Sequence, residues 1–171
     1  VYLFVFGFFG NYFGSEYFFD VLGMVYKFDN ATTRLDSSLL GSGAQTVPVI
    51  MYTLTHAYFM TYHVTGNIAL RKLTQLVKPG IALLVLFPVF VFVIGYAWAW
   101  AETKAMANPM MAGAFYYEKM DIMLAYGSMI YATYFLASFP LYYFIDETKE
   151  KTWSIWVVIG AGMSASMLTF Y

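Results

Sequence analysis

The chain has 171 residues, 61% of them apolar, 22% aromatic and 11% charged, with a formal net charge of −1. A composition this apolar excludes an ordinary soluble domain, which would leave too much hydrocarbon in water, and a charge this close to zero gives no basis for binding nucleic acid. The absence of cysteine also excludes disulfides, thiolate metal sites and cysteine nucleophiles.

The expected fold class is therefore all-α: a single domain over residues 1–171, a polytopic transmembrane helix bundle of about five spans, since a bilayer core of about 30 Å takes roughly 20 apolar residues in a helix. The first span, 1–26, begins at Val1 inside an apolar run without an initiator Met, which suggests processing or truncation upstream. Gly10 and Gly14 form a GxxxG pair suited to close helix approach, a pattern that is more often plain packing. Glu16 and Asp20 lie four residues apart and share a helical face with Tyr12. Lys27 to Gln45 reads as a loop, with Asp29, Asn30, Arg34, Asp36 and Gly-Ser-Gly at 41–43. Asn30-Ala31-Thr32 matches the glycosylation sequon by pattern alone.

The second span, 48–70, opens at Pro48, where a missing N–H costs nothing in a first turn, and is expected to stop at Arg71 and Lys72. Lys78-Pro79 opens the third, 79–102, which ends in Trp98, Trp100 and Glu102 as aromatic anchors do at an interface. Pro88 is expected to kink it. A polar connection, 103–119, leads to the fourth span, 121–145, with Pro140 near its exit. After the charged turn 146–151 comes the fifth, 153–171, in which Gly160, Gly162, Ser164 and Ser166 are spaced for close packing. If all five cross, the Arg71, Lys72 and Lys78 cluster argues that its side faces cytosol, matrix or stroma.

Both histidines fall in one uncharged stretch, THAYFMTYHV, within 55–64. His56 and His63 are seven residues apart, close to two turns, so they share a face, and Asn67 continues it. Ionisable groups at membrane depth are costly, which makes His56, His63, Glu16, Asp20 and Glu102 functional candidates by default. The plain readings stand beside this one: a membrane histidine that hydrogen-bonds a neighbouring helix, and carboxylates that sit hydrated among headgroups. The imidazoles are separated by about 10 Å along the helix, too far to share one metal ion, and they cannot clamp a haem from both faces. One histidine on a chlorophyll magnesium remains geometrically open. No metal and no cofactor are expected. Acid/base chemistry is the sharper use of an imidazole and a carboxyl in apolar surroundings, where each can give and take a proton.

Several blocks carry a family resemblance. GNYF at 10–13, YFFDVLG at 17–23, Val-Pro at 47–48, LTHAYFMTYHVTGNIALRKL at 54–73, AETKAMAN at 101–108 and YATYFLASFPLYYFIDE at 131–147 resemble the cycloeucalenol cycloisomerase family, in order and over nearly the whole chain. The resemblance implies a membrane enzyme of sterol biosynthesis in the endoplasmic reticulum that opens a 9,19-cyclopropane ring and leaves a Δ8 double bond, without a redox cofactor. It points to His56, His63 and Glu102 as proton-handling residues and to Asn11, Asn67 and Asn108 as polar support, with Glu16 a further ligand-binding candidate. The chain departs from the family pattern at Gly14, Glu16, Val49 and Leu124-Ala125. The expected partners are a sterol or other lipid and the membrane. An alternative keeps the ancestry and drops the chemistry: a non-catalytic accessory subunit among other membrane subunits of a respiratory or photosynthetic supercomplex, in an organellar inner or thylakoid membrane.

Overall fold

Long apolar runs without period-two alternation build helices here. The computed structural model describes residues 1–36, 40–148 and 150–170. It places α1 over Tyr2–Asp20, α2 over Val49–Leu76, α3 over Ile81–Met106, α4 over Met120–Ile122, α5 over Ser128–Glu147 and α6 over Ile155–Leu168. A π turn at Met123–Gly127 carries α4 straight into α5, so Met120–Glu147 forms one continuous rod. The fold is all-helical apart from short strands, and each expected span contains a helix. Two of these helices, Ile81–Met106 and Met120–Glu147, are long and apolar enough to cross a membrane, with mean hydropathies of 2.5 and 1.4. Positions 37–39 of the expected loop, Lys149 of the charged turn and Tyr171 of the fifth span lie outside the described residues.

The boundaries move for identifiable reasons. α2 does not stop at Arg71; it runs on to Leu76, because the Arg71 guanidinium is taken up by Glu147 at the end of α5 and does not end the helix. The break comes at Lys78-Pro79, since proline pushes the residue before it out of the helical region. Pro48 stands one residue ahead of α2, as its N-cap in an extended conformation and not inside the first turn.

The segments read as loop and polar connection contain strands, and so does the end of the expected first span, whose helix stops at Asp20. β1 (Met24–Tyr26) pairs antiparallel with β4 (Phe115–Tyr117), Met24 facing Tyr117 and Tyr26 facing Phe115. β2 (Arg34–Leu35) pairs with β3 (Val47–Pro48). Strands of two or three residues carry no readable alternation, and the partner of β1 is distant in sequence. Gly23 turns the chain from α1 into β1 at φ +67°, and a Cβ there would sit 2.8 Å from the backbone nitrogen of Lys119. Only glycine takes that conformation at no steric cost.

α3 lies along α5, and at their closest approach a Cβ on Gly95 would be 2.8 Å from the Cβ of Phe135. We expect Gly95→Ala to part the two helices and to cost about 1–3 kcal/mol, the usual range for overpacking; the shift in thermal unfolding in detergent measures it. α6 meets α1 through Gly162, against the Tyr2 carbonyl, and through Ser166, whose hydroxyl donates to the Phe6 carbonyl at 3.3 Å. The Gly10 and Gly14 pair receives side chains in place of a helix backbone: Phe59 lies over Gly10 and the Tyr134 hydroxyl over Gly14. One apolar cluster, with Phe6, Phe59, Phe135 and Phe139, fills the bundle. A second, with Phe19, Leu22, Met24, Met51, Phe115 and Met123, lies under the β1–β4 pair.

Candidate active site

Between the two clusters lies a cavity of about 70 Å³. At roughly 10–15 Å³ per water it has room for on the order of five waters. Its walls come from every long helix except α6. α1 supplies Gly10, Asn11, Ser15 and Phe18; α2 supplies Met51, Thr55, Tyr58 and Phe59; α3 supplies Glu102, Thr103 and Met106; α5 supplies Tyr131 and Tyr134. Met24 and Tyr26 of β1 and Phe115 and Tyr117 of β4 close one end. Met123 enters the wall from the π turn, an irregularity that often marks functional sites because it re-aims a side chain.

Glu102 is the one carboxylate among the described lining residues. The Tyr62 hydroxyl donates to its Oε2 at 2.9 Å, and the Tyr131 phenol adjoins the same group. Tyr62 is held in turn by its neighbours: its ring stacks on Tyr58 at 6.2 Å and lies 4.9 Å from the ring of Trp98. The other polar lining groups are largely engaged. Asn11 donates to the Met51 carbonyl at 3.3 Å and accepts from Ser15 at 3.5 Å, and the Thr103 hydroxyl returns to the Ala99 carbonyl. Tyr117 is buried in the strand cap, and that burial holds its phenol well above its ordinary range, so it presents a neutral hydroxyl. The set amounts to one carboxyl aimed into an enclosure of aromatic faces and neutral hydroxyls. It suits proton delivery followed by stabilisation of a cation by ring faces.

The structure distributes the remaining candidates elsewhere. His63 is fully buried and does not line the cavity. Its Nδ1 lies 2.7 Å from the Phe59 carbonyl and its Nε2 3.0 Å from the Ser138 hydroxyl. A carbonyl only accepts, so Nδ1 carries the proton, and in the uncharged ring Nε2 accepts from Ser138. Rings of Tyr2, Phe6, Phe59, Phe135, Phe139 and Tyr142 surround it. His56 is half-buried with an unpartnered Nδ1 and meets the Phe4 ring edge-on at 5.9 Å; it too lies outside the cavity lining. The two imidazoles share a helix side but no cavity.

Asn67 donates to Asp146 at 2.7 Å, at the far end of α2, beside the Arg71–Glu147 pair. Asn108 folds onto the end of α3, bonding the Ala105 carbonyl and accepting from the Met110 backbone N–H. Glu16 is buried under Gly41 with one carboxylate oxygen unpartnered, and Asp20 accepts from the Ser42 backbone and hydroxyl. Of the candidates read from sequence, the cavity unites Glu102 and Asn11. It adds Tyr131 and Tyr117, with Tyr62 behind them on the Glu102 carboxylate, all of which sequence reasoning passed over. The signal for Tyr62 was there: Thr55, Tyr58 and Tyr62 follow one another at helical spacing on the face beside the histidines.

No family model matches the chain, and no solved structure does. Among curated proteins it is similar to cycloeucalenol cycloisomerase of Arabidopsis thaliana, with 33% identity over 172 aligned residues that take in 98% of this chain and 56% of the relative. The chain thus spans about half the length of the relative it matches. Together with the ordered blocks at 10–23, 54–73, 101–108 and 131–147, that match makes the chain a divergent member of the cycloeucalenol cycloisomerase family.

Proposed function

We propose that this chain is an integral membrane isomerase that opens the 9,19-cyclopropane ring of a sterol, with Glu102 handling the proton. In this reading its helices form a five-span bundle in the endoplasmic reticulum membrane. The Glu102 carboxyl gives its proton to the ring methylene, C19, as the C9–C19 bond breaks; the methylene becomes a methyl and C9 becomes cationic. The C8 hydrogen then leaves as a proton, its bonding pair forms the C8=C9 double bond, and the Glu102 carboxylate takes the proton back. C19 and C8 are both bonded to C9, one bond angle apart, as are the two oxygens of a carboxylate, so one group reaches both. Protons balance over the cycle and no electron acceptor is needed. The faces of Phe18, Phe59, Tyr131 and Tyr134 supply the electron-rich surroundings that a transient cation needs.

The observation that carries this reading is a lone carboxyl, oriented by a phenol, in an aromatic-rich cavity of a chain with this ancestry. The same ancestry favours the isomerase over an accessory subunit. Incubating membranes that contain the chain with cycloeucalenol tests it: a Δ8 product supports the reading, and unchanged substrate beside a working reference enzyme refutes it. Tyr62→Phe is expected to lower kcat about tenfold with KM little changed, as for removal of one orienting hydrogen bond; a change confined to KM would place Tyr62 in binding instead.

A further inference from the structure

The cavity has one weak wall. Of its lining residues, the exposed one is Tyr58, 39% accessible, and Thr55, Glu102 and Met106 are half-buried. All four lie on α2 or α3, along the seam between them. The other half-buried lining residues, Phe18 and Tyr26, are packed against the core clusters, as is Met106, which leaves Tyr58, Thr55 and Glu102 as the thin part of the wall. Elsewhere the lining is closed: Met24, Phe115 and Tyr117 of the strand cap are buried, as are Tyr131 and Tyr134 of α5.

The hairpin geometry explains the gap. α2 and α3 are tied at one end by the short Lys78-Pro79-Gly80 turn, while the cavity lies at the opposite end, near the start of α2 and the end of α3. Thr55, Tyr58 and Tyr62 form a stripe on α2 at helical spacing, and Tyr62 contacts α3 through Trp98 and Glu102. The stripe therefore reaches the seam: the exposed Tyr58 ring stacks on the buried Tyr62 ring, whose hydroxyl meets the Glu102 carboxyl in the cavity wall.

We infer that the α2–α3 seam is a lateral portal through which a flat, apolar four-ring lipid enters from the bilayer, with Tyr58 as its gate. The inference rests on the isomerase reading for the identity of the lipid, while the portal itself rests on geometry alone. An apolar lipid is dissolved in the bilayer, and entry through the strand cap would expose it to water. The cavity is small beside the usual ligand pocket, so admission requires the untied ends of α2 and α3 to part. A rotation of the Tyr58 side chain off the Tyr62 ring widens that end.

Photo-crosslinking tests this directly. Benzoylphenylalanine is placed at position 58, or as a control at position 68, where Ile68 is 50% accessible on the same helix and lies outside the cavity lining. Each full-length variant is reconstituted in phosphatidylcholine vesicles with radiolabelled cycloeucalenol. Labelling at 58 should exceed that at 68 about tenfold and fall with excess unlabelled sterol, as expected for a site against bulk lipid. Equal labelling at both positions overturns the portal. Labelling at 58 by a protein that does not open the ring keeps the portal and removes the isomerase reading.

Discussion

Replacing Glu102 by Gln is expected to lower cycloeucalenol turnover by about 10³-fold, within the 10²–10⁴ that a positioned acid or base contributes. The substitution suits the question because Gln keeps the size of the side chain and an oxygen able to accept from Tyr62, so the cavity and the α2–α3 contact persist. What disappears is the proton. Unfolding temperature and membrane insertion should be those of the parent, and substrate labelling at position 58 should remain. An enzyme that still turns over within tenfold of the parent would remove Glu102 from the chemistry and send the search to His56, whose Nδ1 is buried and unpartnered.

The second large effect belongs to His63 and is one of stability. His63→Ala is expected to cost about 3 kcal/mol, combining a void among six aromatic rings with a stranded Ser138 hydroxyl. The ring bridges α2 to α5 through Ser138, and Tyr2 of α1 donates to the Ser138 carbonyl at 2.9 Å, so three helices meet at this point. Thermal unfolding in detergent reads the loss, and turnover per folded molecule should hold within a few-fold. A variant that melts like the parent yet has lost its turnover would put the imidazole in the reaction after all. His63→Gln, which can still bond Ser138, should recover part of the stability.

The two variants together separate the roles that the sequence had joined. His56, His63 and Asn67 do lie along one side of α2, as their spacing requires. A shared helical face, however, fixes only direction from the axis; it does not say what each side chain meets. His63 meets a closed aromatic shell, Asn67 meets Asp146, and His56 meets Phe4. Glu102 could be read as an interfacial residue at the end of a span, and its position in the chain is still that. It becomes a site because β1 and β4, far apart in the sequence, roof over that end of the bundle.

The helical class, the approximate placement of each helix and the family were legible in the residues alone. These follow from local properties: apolar runs of sufficient length, proline at a first turn and before a break, and blocks of identity in order. Which polar groups gather at the cavity follows from packing across the fold, through pairings such as Met24 with Tyr117 and Tyr62 with Glu102 that no local pattern encodes. Burial makes the difference physical: an imidazole with both nitrogens bonded holds helices together, while a carboxyl facing open space can move a proton.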